Sequence, residues 1–277
     1  MRKIVLTAVT ASVTLGAVAI ATAAPNLDTK TPGTLLIGTD NPAFPPWFGG
    51  GEKNKPWKIN DPATGKGYES AVAYAVAKEL GYKPANVKWT VVPFTRSFAP
   101  GRKPFDLFIN QVSYSPARAK NVDFSVSYYN VNQAIVGLKG KPISKVTTLA
   151  GLKSFKFGAS IGTTSYEAIT SRIKPDQKPA VFDRNEDAVK ALDNGTIDGL
   201  VVDLPTAYFV TAAQVEGSKI VGQFPAQGTP ERFGVVLGKG SSLTGPVNAA
   251  LTRLRRNGTL KRLEQKWLAG ATAPFLK

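Results

Sequence analysis

"DLFINQVSYSPARAKNVDFS", residues 106–125, turns from apolar to polar within a few positions. The run Leu107 to Ile109 stops at Asn110 and Gln111, a Ser-Tyr-Ser-Pro turn follows, and Arg118 comes shortly after it. Ser115 and Pro116 are the usual start of a helix, the hydroxyl as N-cap and the proline at the first helical position. Arg118 then falls in the first turn, where a cation meets the positive end of the helix dipole and is locally unfavourable. Two readings follow. Arg118 is solvated or paired with Asp123, or it serves an anion together with the helix N–H groups and the Ser113 hydroxyl. A guanidinium matches a carboxylate through two parallel hydrogen bonds, which makes a carboxylate the natural anion.

Outward from this stretch, strand and helix patterns alternate. Thr34 to Gly38 reads as a short buried strand, Tyr68 to Leu80 as a helix stopped by Gly81, Val87 to Val92 and Asp106 to Ile109 as strands. The pattern then restarts. Lys156 to Ser160 is a strand ending in Gly162-Thr163-Thr164, with a helix from about Ser165. Asp187 to Leu192 is helical, Gly199 to Val202 is a strand ending at Asp203, and Thr206 to Gln214 is helical. Phe233 to Leu237 is a strand, and Pro246 to Trp267 is a helical region broken at Asn257-Gly258. Two such α/β units predict two lobes, each a mainly parallel sheet flanked by helices. Ligands of open parallel sheets bind beyond the carboxyl ends of the strands, so the polar strand ends are the candidate site. Asn194-Gly195-Thr196 and Asn257-Gly258-Thr259 match the glycosylation sequon, but each follows a helix and reads as a C-cap.

Composition removes most other functions. The chain has no His and no Cys. That excludes Ser-His and Cys-His catalytic pairs, the usual zinc and copper ligands, and disulfides, so no catalytic residue, metal or cofactor is expected. Met1-Arg2-Lys3, an apolar stretch to Ala24 and the Ala21-Thr22-Ala23 site predict a signal peptide over residues 1–23. A retained membrane anchor is the alternative. The mature protein is expected in the periplasm or secreted, and without Cys it is no lipoprotein. Net charge is +16, or +14 without Arg2 and Lys3. The basic residues are scattered, and the densest cluster, from Arg253 to Lys266, lies on an amphipathic helical pattern. It reads as a solvated face, so no nucleic-acid partner is expected.

Thr164-Ser165-Tyr166-Glu167 fits a capping box after the Gly-Thr turn. With Arg118, the nearby donors and Asp203, the strand ends supply a fixed cation, several N–H and O–H groups and a fixed anion. That set is complementary to a zwitterion. At this point the sequence resembles the polar-amino-acid family of solute-binding proteins that serve ABC importers. "LLIGTDNPAFPPW" (35–47) resembles its opening strand and aromatic turn, and "GYESAVAYAVAKELGY" (67–82) its first helix. "INQVSYSPARAKNVDFSVSYY" (109–129) is similar to its signature segment, and "IGTTSYE" (161–167) to its Gly-Thr-Thr turn. "GTIDGLVVDLPTAY" (195–208) resembles its second-lobe strand, and "NAALTRLRRNGTLKRLEQKWL" (248–268) its closing helices.

The resemblance implies a two-lobe periplasmic-binding-protein type II fold joined by two crossing strands. Lobe one would hold residues 24–131 and 236–277, and lobe two residues 132–235. It implies an amino-acid ligand, a membrane permease of an ABC importer as partner, and a monomer. By resemblance Arg118 holds the ligand α-carboxylate, helped by Ser113, Thr163 and Thr164, and Asp203 receives the α-ammonium. Gln111 supplies a backbone contact, and Phe44 and Phe94 sandwich the side chain. The chain departs from the family at Ala71, where an acid is common, at the large Asn110 and Gln111, and at "SFAPGRKPFD" (97–106), where a helix is usual. Ala71 predicts no strong selection for a cationic side chain. The rival from another class is a cleft enzyme on the same fold, a dehydratase acting on an aromatic amino-acid precursor. Glu69 or Glu167 would then be its general acid.

Overall fold

The computed structural model describes residues 27–268 and 272–277. The signal peptide expected over 1–23 lies outside them. The first lobe opens with β1 (Leu35–Thr39), whose Leu35 and Ile37 are fully buried. It pairs in parallel with β2 (Val87–Val91) and β3 (Leu107–Phe108). Helix α1 (Tyr68–Glu79) links β1 to β2 and stops at Gly81, whose φ is +90°. Before β3 there is only a single turn, α2 (Phe94–Ser97), because Pro100, Gly101 and Pro104 follow it. Helix α3 (Pro116–Ala119) and β4 (Val122–Phe124) come next.

The chain leaves the first lobe along β5 (Tyr129–Asn130) and builds a second sheet from β6 (Gln133–Leu138), β7 (Phe157–Ser160), β8 (Ala180–Phe182), β9 (Gly199–Asp203) and β10 (Ser218–Gln223). Its helices are α4 (Thr164–Ala168), α5 (Asn185–Asp193) and α6 (Leu204–Phe209). The first and last continue in wider turns to Ile173 and Gln214. The chain returns along β11 (Arg232–Phe233), which pairs antiparallel with β5, and enters the first sheet as β12 (Val236–Gly238). Helices α7 (Thr244–Arg256) and α8 (Thr259–Leu268) close on α1. Asn194 and Asn257 are the C-cap residues of α5 and α7, as expected.

The sheet orders are β2-β1-β3-β12-β4 and β10-β6-β9-β7-β8. Both are mixed. Parallel pairing is confined to β1 with β2 and β3, and to β7 with β8 and β9. The antiparallel members are β12 and β6. Crossing explains this. A strand that enters a lobe from its partner starts at the cleft and runs away from it, while strands of the strand-helix-strand units run toward it. Periodicity along the chain carries no sign of that reversal.

Between the lobes Trp47, Tyr68, Tyr129 and Phe233 form an aromatic cluster with ring centroids 5.5–6.1 Å apart. It ties both crossing strands to the first core. The tail departs from its expected place with the first lobe, because residues 272–277 lie on the second sheet. Gln223 N donates to Pro274 O at 2.8 Å, Leu276 N to Gln223 O at 2.9 Å, and Leu276 is buried. Gly222 makes the approach possible, since a Cβ there would meet Leu276 Cγ at 2.8 Å.

Candidate functional site

Phe44, Phe94, Gln111, Ser113 and Arg118 of the first lobe, and Thr163, Thr164 and Asp203 of the second, all line one cavity of about 540 Å³. The strand ends converge there because both sheets point their carboxyl edges at the gap.

Arg118 is buried, not solvated, and Asp123 pairs instead with Lys239 at 3.4 Å. Ser115 caps α3 by accepting Arg118 N. The guanidinium donates through Nη1 to Ser113 O at 2.5 Å and through Nη2 to Gly162 O of the other lobe at 2.7 Å. Phe98 and Phe94 face it at 4.5 and 5.6 Å from their ring centres. Burial lowers its pKa from the ordinary value, opposed by the carboxylates of Glu167 and Glu231.

Gln111 stands in the left-handed region, φ +49°, which is costly for a side chain with a Cβ. Glu69 holds it there. Gln111 N donates to Glu69 Oε1 at 2.6 Å, and Gln111 Nε2 and the Tyr128 hydroxyl also donate to this carboxylate. The Gln111 backbone N–H therefore faces inward to Glu69. Glu69 is fully buried, and desolvation pushes its pKa up to about 7 against those three donors. It is not among the residues that line the cavity.

On the second lobe the helix cap lies one residue earlier than the capping box predicts. Thr163 is the N-cap of α4, accepting from Tyr166 N, and its hydroxyl donates to Ser160 O at 2.7 Å. Thr164 is thereby left free to face the cleft. Asp203 caps α6, accepting Thr206 N and Thr206 Oγ1, each at 3.0 Å. Burial pushes its pKa up to about 6.

Three further residues matter that sequence reasoning did not single out. Asp40 follows β1, lines the same cavity, and accepts Asn41 N at 2.8 Å and Phe94 N at 3.1 Å. Burial raises its pKa, partly offset by those two N–H donors and, less, by the positive charge of Arg184. The strand-end rule that found Asp203 would have found it. Gln133 opens β6, and Glu231 lies in the loop before β11. Ser113 Oγ and Thr164 Oγ1 donate to Glu231 Oε1 at 2.5 and 2.6 Å, and Gln133 Nε2 reaches the same oxygen at 3.1 Å. No local pattern marks Glu231, which meets Ser113 only through the fold.

Two mixed sheets, two crossing strands and a cleft with cationic and anionic groups at its strand ends define the type II periplasmic-binding-protein fold. Residues 48–270 match the family described as bacterial extracellular solute-binding proteins, family 3, and the chain belongs to that family. It is similar to the arginine-binding extracellular protein ArtP of Bacillus subtilis, 27% identical over 78% of this chain and 83% of that protein. Among solved structures it resembles an ancestral arginine-binding protein bound to glutamine, with a TM-score of 0.67 and 29% identity over 86% of this chain and 99% of that one. It also resembles the ancestral amino acid-binding protein AncCDT-1, a precursor of cyclohexadienyl dehydratase. That likeness has a TM-score of 0.69 and 28% identity over 85% of this chain and 95% of the other.

Proposed function

We propose that this protein captures a free amino acid in the cleft and delivers it, as a monomer, to the permease of an ABC importer. The observation that carries the reading is the convergence of Arg118, Ser113, Thr164 and Asp203 on one cavity from both lobes. Arg118 and the two hydroxyls suit an α-carboxylate, and Asp203 suits an α-ammonium. Phe44 and Phe94 flank the side chain. The names of ArtP and of the ancestral arginine-binding protein bound to glutamine favour the same ligand class. The family is extracellular, in keeping with a signal peptide over 1–23 and a periplasmic or secreted product.

The moving bodies are residues 27–131 with 236–268, and residues 132–235 with the tail 272–277. Ligand groups on both bodies are bridged only when they approach, so capture closes the hinge at β5 and β11. Binding is favoured over catalysis because Glu69 is committed to Gln111 and Tyr128 behind the cavity wall. The test is a thermal-shift screen against the twenty common amino acids, because a ligand that binds only the folded state raises its melting temperature. Prephenate-like acids are incubated in parallel and assayed for turnover. No shift with any amino acid, in the wild type or in Glu231→Gln, overturns the reading, and turnover of an acid replaces it with the dehydratase.

A further inference from the structure

Glu231 belongs to neither sheet, yet donors from both lobes meet on its carboxylate at the edge of the cleft. Ser113 of the first lobe, Thr164 of the second and Gln133 of β6 all donate to its Oε1, at 2.5, 2.6 and 3.1 Å. Ser113 and Thr164 are two of the donors proposed for the ligand α-carboxylate. A second carboxylate cannot join Glu231 on them without placing two anions in one seat, an arrangement that like-charge repulsion disfavours strongly.

Glu231 lines a second cavity of about 430 Å³ rather than the first, and touches the first only through Ser113, Thr164 and Gln133; the second cavity shares Gln133 and Thr164 with the first and is lined by Arg172 and Arg232. There the Arg172 guanidinium lies over Phe224 at 5.0 Å and donates from Nη2 to Pro225 O at 2.6 Å. Its Nε is buried with no hydrogen-bond partner among the described residues. An unused guanidinium N–H on the wall of the cavity that Glu231 also lines is a receptor for that carboxylate once it leaves its present donors.

We propose that Glu231 is an internal occupant of the carboxylate seat, displaced by the ligand α-carboxylate and received by Arg172 in the second cavity. This rests on the amino-acid reading of the cleft and adds what sets its affinity and selectivity. Every ligand competes with Glu231, so an amine lacking a carboxylate cannot release it. While seated, Glu231 occupies the hydroxyls of both Ser113 and Thr164. Apparent affinity is reduced by the fraction of molecules whose seat is filled.

The experiment is calorimetric titration of the wild type, Glu231→Gln, Arg172→Leu and the double variant. The titrant is whichever of the twenty common amino acids gives the largest thermal shift, the screen being run on the wild type and on Glu231→Gln alike. Glu231→Gln keeps the shape of the side chain, and Glu231→Ala replaces it should the Gln variant melt early. Expected are binding at least about 10-fold tighter in Glu231→Gln and about 5-fold weaker in Arg172→Leu, within the usual range of coupling between sites. Arg172→Leu should have no effect in the Glu231→Gln background. An amino acid bound by Glu231→Gln alone also supports the proposal, as an unmasked seat. If the wild type binds an amino acid and Glu231→Gln binds it no more tightly, the proposal fails and the amino-acid reading stands. If neither protein binds any amino acid, both fail.

Discussion

Arg118 of the first lobe donates from Nη2 to the carbonyl of Gly162 in the second, at 2.7 Å. One side chain thus both lines the cleft and joins its two walls. The unfavourable cation at the start of α3 is explained by what lies opposite it.

Arg118→Ala should weaken amino-acid binding by at least about 30-fold. Truncating one partner of a buried, hydrogen-bonded charge pair typically costs about 2–5 kcal/mol, and 2 kcal/mol is about 30-fold in Kd. Arg256→Ala, on the exposed side of α7, is the control and should bind as the wild type does. Calorimetry on both, with circular dichroism to check folding, decides it; equal affinities would return Arg118 to a purely structural role.

Affinity should fall as pH falls through about 6. Asp203 meets the ligand ammonium only when ionised, and burial holds its pKa at about 6 in the free protein. Below that value each pH unit should weaken binding by up to about tenfold. Titrations from pH 5 to 8 should show this slope in the wild type and a weaker, flat profile in Asp203→Asn. A slope retained in the variant would assign the titration to another group.

Stability should fall as pH rises through about 7. Glu69 has a folded-state pKa of about 7 against 4.5 for the free side chain. Between those values the folded protein binds the extra proton, so unfolding grows easier with rising pH. The melting temperature should be higher at pH 5 than at pH 8. Asp203 acts in the same direction, so the informative quantity is the difference from Glu69→Gln, which should lose part of the slope. A variant with the full slope would show that Glu69 does not titrate there.

Leu276→Ala should destabilise the protein by about 2–5 kcal/mol, the usual cost of a buried Leu to Ala change. Leu276 is 2% exposed and packs in the core beneath β10. Denaturant unfolding measures it. A loss below about 0.5 kcal/mol would mean that the tail contributes no packing.

The parts legible in the sequence were those with a local cause. Arg118 stood out because a cation at a helix start is a conflict within four residues, and Asp203 because it ends an apolar strand. The cap at α4 was read one residue late because Thr163 and Thr164 are chemically alike, and only backbone geometry chooses between them. The antiparallel strands β6 and β12 owe their direction to the crossing between lobes, which no window of sequence contains. Glu231 and Ser113 are 118 positions apart, and nothing local to either announces the other.

The tail on the second sheet limits how far the protein can open. Two crossing strands lying side by side act like a single pin, about which a lobe could swing widely. The tail adds a leash away from that pin. Leu268 ends α8 against the first core, and Thr272 accepts from the Tyr208 hydroxyl on the second lobe. Three residues, or four Cα-to-Cα steps, separate them, and a fully extended chain of four steps reaches at most about 14 Å. Whatever angle the hinge alone would allow, the lobes can part only until this leash is taut.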